Sequence, residues 1–168
     1  TPGGVGEAKT AGNYAACNLA EKQAQAQGFT QVLWLDAVER KYIEEVGSMN
    51  IFFVIDDEIV TPQLNGTILP GITRKSVLEL ARHWDLKTSE RRISIDEVLE
   101  GLESGRVSEV FGAGTAAVIS PVGLLHYRGQ SSQVGDGQTG PVAKRFFEHL
   151  TAIQYGREND PFGWVETF

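Results

Sequence analysis

One lysine in this sequence stands apart by its surroundings. Lys9 lies in Gly6-Glu-Ala-Lys-Thr-Ala-Gly-Asn-Tyr14, with Ala8, Ala11 and Gly12 close by, just ahead of a stretch with helical spacing. A lysine before a helix N-terminus sits near the positive end of the macrodipole, and small neighbours leave room for a bulky group to pack on it. Both conditions favour the neutral amine, the form that Schiff-base chemistry needs. A lone lysine is ordinarily a solvated surface group, so the reading depends on partners elsewhere in the chain. The pair Glu44-Glu45 offers a carboxylate; on an extended strand adjacent side chains face opposite ways, so one of the two can address a given site. Gly71-Ile72-Thr73 runs into a helical pattern, and Thr115 follows Gly112-Ala-Gly114. A helix start with free N–H groups and a hydroxyl is a general anion site, although either loop alone is ordinary punctuation. Tyr14 adds a phenol five residues after Lys9, or else is a plain aromatic at a helix start.

The elements that would position these groups follow from periodicity. From Asn13 to about Gln27, Ala15, Ala16, Leu19, Ala20, Gln23 and Ala26 form a small-residue stripe, which predicts a closely packed helix with Asn13 as a cap and Gly28 as its stop. Residues 31–36 and 50–55 have strand length and composition, and 58–61 pairs back on the latter across Asp56-Asp57. Val77, Leu80, Ala81 and Trp84 predict an amphipathic helix beginning near Thr73. Ser94-Ile-Asp-Glu97 is a capping box opening a helix that ends by Gly105. Residues 107–111, 116–120 and 124–127 read as strands, Gly129 to Gly140 as a flexible surface loop, and Val142, Phe146, Leu150 and Ile153 as the apolar face of a last helix. Helices and strands mix without strict alternation, which predicts an α+β domain.

A chain of 168 residues, 41% hydrophobic, is long enough for one domain with a real core. The net charge of −7 with no basic run argues against a nucleic-acid partner. No apolar stretch reaches the length of a membrane span, so no membrane partner is expected. The opening Thr-Pro-Gly-Gly-Val-Gly lacks the basic start and apolar run of a signal peptide and reads as a cut end or a linker. The single Cys17 cannot close an internal disulfide, which fits a reducing, cytoplasmic location. His83, His126 and His149 lack ligand spacing, so no metal site is expected. Arg74-Lys75 and Arg91-Arg92 read as ion-paired or solvated, and Glu7 as facing solvent.

Six motifs occur in one order: Lys9-Thr-Ala-Gly-Asn-Tyr14, Gln31-Val-Leu-Trp-Leu-Asp36, Glu45-Val-Gly-Ser-Met-Asn-Ile-Phe-Phe53, Leu69-Pro-Gly-Ile-Thr-Arg74, Gly114-Thr-Ala116 and Ile153-Gln-Tyr-Gly-Arg157. Together they resemble the branched-chain amino acid aminotransferases of the fold-type IV pyridoxal-phosphate class. The resemblance runs from about Gly3 to Trp164 and covers the C-terminal half of such an enzyme.

It implies the pseudo-barrel C-terminal domain of that fold, with 1–12 as linker and catalytic-lysine segment and 13–168 as the cofactor-binding domain. It implies that Lys9 forms a Schiff base with pyridoxal 5'-phosphate and shuttles the substrate proton, that Tyr14 bonds the phenolic oxygen, and that Glu45 rather than Glu44 faces the ring nitrogen. Leu69 would pack on the ring. Gly71, Ile72, Thr73 and Thr115 would hold the phosphate, and Thr115 and Ala116 the substrate carboxylate. The substrates implied are Leu, Ile or Val and their 2-oxo acids with glutamate and 2-oxoglutarate, on an enzyme that is typically a homodimer. Ser48 replaces the more usual Thr and keeps the hydroxyl; the redox cysteine pair of some relatives is Ala117 and Ser120 here. The family's phosphate-binding arginine belongs to the other half, a charge-assisted contact of about 1.5 to 3 kcal/mol. Alternatives are another fold-type IV activity, such as a D-amino-acid aminotransferase or aminodeoxychorismate lyase, or a non-catalytic fragment serving as an interaction module.

Overall fold

The computed structural model describes residues 3–166; Thr1 and Pro2, the first two residues of the predicted linker, lie outside them. The fold is built around one strand. In β3 (Met49–Ile55) every residue from Asn50 to Ile55 is buried, and Ile51, Phe52 and Phe53 are wholly inaccessible. A run of apolar, β-branched and aromatic residues without polar alternation is what a strand covered on both faces requires.

Along one edge β3 pairs antiparallel with β6 (Val107–Gly114) over nearly its whole length. Its other edge is divided. β2 (Ile43–Val46) pairs with its start, through Glu45 opposite Asn50, and β4 (Glu58–Pro62) with its end, through Phe53 opposite Val60. The β3–β4 turn places Asp56 and Asp57 at positive φ, the conformation a two-residue hairpin with matching twist demands. β1 (Leu33–Leu35) extends the sheet beyond β2, β5 (Thr88–Arg91) pairs parallel with β4, and β7 (Val118–Pro121) pairs with β6, giving a branched seven-stranded sheet. β8 (Leu124–Tyr127) and β9 (Gln130–Gln133) make a separate hairpin, so the segment read as a flexible loop contains a strand.

Alternate β3 side chains feed two cores. Ile51, Phe53 and Ile55 join Val107, Val110 and Leu125 on the side of α3 (Ile95–Ser104). Phe52 and Val54 join Phe111, Val77 and Leu80 of α2 (Ile72–His83), and Phe146 and Leu150 of α4 (Pro141–Gln154). The predicted α2 stripe is the buried face, with Val77, Leu80 and Ala81 inaccessible. Ser94 caps α3 by accepting the N–H of Glu97 at 3.0 Å, and Gly105 ends it at φ 78°. The Glu97 side chain, however, pairs with Arg91 rather than reaching back to the cap.

α1 (Ala11–Ala26) departs from expectation. It starts after Thr10 rather than at Asn13, and none of its residues is buried; Leu19 is 69% exposed. A small-residue stripe permits close packing but does not supply a partner, and nothing among the described residues covers this one. Of the described helices, none is long and apolar enough to cross a membrane.

Candidate functional site

A cavity of about 560 Å³ lies between the start of α1 and the β1–β2 edge of the sheet, lined among others by Gly12, Tyr14, Cys17, Trp34, Glu45 and Leu69. Its size is that of a small-molecule site. Glu45 is the ionisable group on this wall whose carboxyl the surroundings hold back from ionising. Burial pushes its carboxyl up to about 7, against the hydrogen bond from the Leu69 N–H and with a smaller push from the charge of Glu44. The Leu69 N–H and the Asn50 Nδ2 both donate to Oε1 at 3.3 Å. A carboxyl so placed ionises at a cost that a cation in the cavity would offset. Across from it, burial and then the charges of Glu21 and Glu45 push the Cys17 thiol up, and that thiol donates to Asn13 O at 3.2 Å.

The alternation expected of Glu44 and Glu45 does not hold. Trp34 pairs with Glu45 and Leu35 with Ile43, so Glu44 has no partner in β1. An extra residue of this kind is a bulge, which re-aims side chains locally, and both carboxylates border the cavity. They differ in partners instead, Glu44 accepting the Thr67 hydroxyl.

The anion-binding candidates sit at the same end of β3. Gly71 is the N-cap of α2 and offers no side chain to its first turn, so the N–H groups of Ile72 and Thr73 have neither an intrahelical acceptor nor a side-chain acceptor among the described residues. Ile72 is 77% exposed and Thr73 half-buried. Gly71 leaves room for Asn50, because a Cβ there would lie 2.2 Å from Asn50 Oδ1 and force that side chain to shift. Thr115 and Ala116 are exposed in the turn joining β6 to β7, rather than Ala116 opening the strand. That turn follows Gly114, which packs on Met49, and Ala113 pairs with Asn50.

Lys9 itself is exposed, while Ala8 and Gly12 on either side of it line the cavity. A turn through Gly6 and Glu7, closed by the Ala8 N–H on Val5 O, is followed by irregular backbone at Lys9 and Thr10 and then by a helix that buries nothing, so no element covers Lys9 among the described residues. Asn13, read as a cap, lies inside the first turn and donates to Val5 O at 2.7 Å and Ala8 O at 3.0 Å, tying this segment to α1. The structure thus gathers Tyr14, Glu45 and Leu69 around one cavity and brings Gly71 to Glu45 through Asn50. It leaves Lys9, Thr115 and Ala116 on exposed segments.

The remaining features have structural partners. Arg74 pairs with Glu90 at 2.7 Å, Lys75 with Glu79, Arg91 with Glu97 and Arg92 with Glu39. His126 bonds Ser131, His149 pairs with Glu158, and His83 packs edge-on to Phe162, three separate places. Among the described residues no group of three or more His, Cys, Asp or Glu could hold a metal.

The family model of amino-transferase class IV matches residues 4–125. This chain is a class IV aminotransferase sequence. As a member of that family it is 57% identical to branched-chain-amino-acid aminotransferase 2 of Bacillus subtilis over 163 residues, 97% of this chain and 45% of that protein. Its fold matches the branched-chain amino acid aminotransferase of Escherichia coli with a TM-score of 0.84 at 33% identity, over 99% of this chain and 51% of that one. It also matches the T.th. branched-chain amino acid aminotransferase complexed with N-(5'-phosphopyridoxyl)-L-glutamate, with a TM-score of 0.82 at 33% identity over 99% of this chain and 53% of that one. The chain therefore has the α+β fold of the fold-type IV enzymes and corresponds to their C-terminal part. It spans about half the length of the class IV relatives it matches.

Proposed function

We propose that this chain is the cofactor-carrying half of a branched-chain amino acid aminotransferase that moves an amino group between Leu, Ile or Val and 2-oxoglutarate. The observation that carries the proposal is the half-buried Glu45 carboxyl on a cavity wall, joined through Asn50 to a helix start whose N–H groups are uncapped. That donor set suits pyridoxal 5'-phosphate, with a carboxylate for a protonated ring nitrogen and free N–H groups for a phosphate. Support comes from the identity with the Bacillus subtilis enzyme and from the fold match to a relative holding a phosphopyridoxyl-glutamate.

In this reading Glu45 holds the ring nitrogen's proton and Tyr14 bonds the phenolic oxygen. Leu69 covers the ring, and Gly71, Ile72, Thr73 and Thr115 bind the phosphate. Lys9 anchors the cofactor and moves the proton at the substrate Cα, while Thr115 and Ala116 receive the substrate carboxylate. When bound, the cofactor supplies an electrophilic carbon and an electron-withdrawing ring. Residues 1–12 form the lysine-bearing linker and 13–168 the cofactor domain of a cytoplasmic homodimer.

The test is the absorbance of this chain with pyridoxal phosphate, followed by borohydride reduction and mass mapping. A protein-linked band trapped at Lys9 and discharged by L-leucine supports the proposal; label spread over surface lysines contradicts it. Faster turnover of D-alanine than of L-leucine by an intact relative of twice this length would overturn the substrate assignment.

A further inference from the structure

Asn50 opens the most deeply buried strand of the fold and is only 5% exposed. A buried carboxamide is tolerated where its polar atoms are engaged, and what Asn50 engages is informative. Its Nδ2 donates to the backbone oxygen of Leu69 at 2.8 Å and also to Glu45 Oε1 at 3.3 Å. Its Oδ1 lies so close to Gly71 that a Cβ there would sit 2.2 Å from it. Its own backbone is held from both sides, opposite Glu45 in β2 and Ala113 in β6. One small side chain therefore touches the cavity's half-buried carboxyl and both ends of the Leu69–Gly71 turn that leads into α2. A residue serving the core alone would be apolar, like the five that follow it.

We infer that Asn50 is a positioning residue: its carboxamide fixes the Glu45 carboxyl and the Leu69–Ile72 turn relative to one another, so that the group facing a ring nitrogen and the helix start facing a phosphate are held as one unit. Its catalytic meaning rests on the proposed cofactor site, while the coupling is a property of this chain's own residues. The closure is mutual, since the Leu69 N–H returns a hydrogen bond to Glu45. Glu44 on β2, Cys17 and Tyr14 on α1, Asp36 and Glu39 between β1 and β2, and Arg92 just after β5 are the titratable groups that share the cavity with Glu45.

The test uses the chain without added ligand and compares it with Asn50→Ala and the isosteric Asn50→Asp. Two quantities are read: the titration midpoint of the Glu45 carboxyl by carbon NMR, and hydrogen exchange of the Leu69 amide. Removing the donor in Asn50→Ala moves the Glu45 midpoint upward and speeds Leu69 exchange about tenfold, the loss of roughly one hydrogen bond. Asn50→Asp moves the midpoint further, because a second carboxyl lies beside the first, and Leu69 protection recovers at low pH where the new side chain can donate again. A merely structural role would lower thermal stability and leave the midpoint in place. An unchanged midpoint and unchanged exchange in both variants overturns the inference. So does loss of the fold in both, which would make Asn50 a core residue. Failure of the unsubstituted chain to trap pyridoxal phosphate at Lys9 counts against the proposed function alone, because the ligand-free readings still decide the role of Asn50.

Discussion

The four described helices divide by how they begin. α3 is capped by the Ser94 hydroxyl, and α4 by the carboxylate of Glu109, a residue of β6 that accepts the N–H groups of Val142 and Ala143 at 2.8 Å each. α1 and α2 receive no side-chain cap. α4 and α2 make the sharpest pair, since both have glycine at the N-cap, Gly140 and Gly71. At Gly140 the space a Cβ would fill is taken by the Glu109 carboxyl, and at Gly71 by the Asn50 carboxamide, which turns its donor to Leu69 and Glu45 instead. The same local sequence logic thus closes one helix end from within and leaves the other with donors to spare, beside the cavity. Free N–H groups at a helix start are a general anion site, and the phosphate role proposed for the start of α2 uses them.

Substitutions at the two helix starts and at Lys9 separate their roles. The largest effect is expected at Lys9→Ala, which abolishes covalent capture of pyridoxal phosphate, read by mass after borohydride, while the urea midpoint stays unchanged. Glu109→Ala does the reverse: two charge-assisted bonds are lost at a buried helix start, lowering stability by about 2 to 3 kcal/mol in urea titration without affecting capture at Lys9. Glu45→Gln acts through pH. The folded chain titrates Glu45 at about 7 against an ordinary value of 4.5, so between those values the folded state holds a proton that the unfolded state has released. Stability of the ligand-free chain therefore falls as pH rises through that window, and Glu45→Gln flattens the slope, as urea midpoints across the window will show. The smallest effect is Ser94→Ala, about 1 kcal/mol of stability with no change in ligand binding.

How far these features were legible in the sequence depended on whether a local pattern carried them. The α2 stripe, the Ser94 cap, the Gly105 stop and the Asp56-Asp57 turn each follow from spacing or from one residue's conformational preference, and each is present. β5 and β9 read as Thr-Ser-Glu-Arg and Gln-Ser-Ser-Gln; polar edge strands are held by ladder bonds and show no hydrophobic alternation. The Glu44 bulge arises from the pairing of β1 with β2, which neither segment announces alone. Glu109 caps a helix 33 residues further along the chain, a contact without a local signature. The site shows the same division. Its residue types were legible as motifs, whereas the role of Asn50 needs β2, β3 and the α2 approach in place together.

The most direct measurement is a titration of the chain with pyridoxal phosphate followed by backbone amide NMR. The account predicts that the amides of Ile72, Thr73 and Thr115 shift with a common dissociation constant while those of Val142 and Ala143, whose N–H groups Glu109 already holds, stay in place. Equal shifts at both helix starts, or shifts at α4 and none at α2, would contradict it.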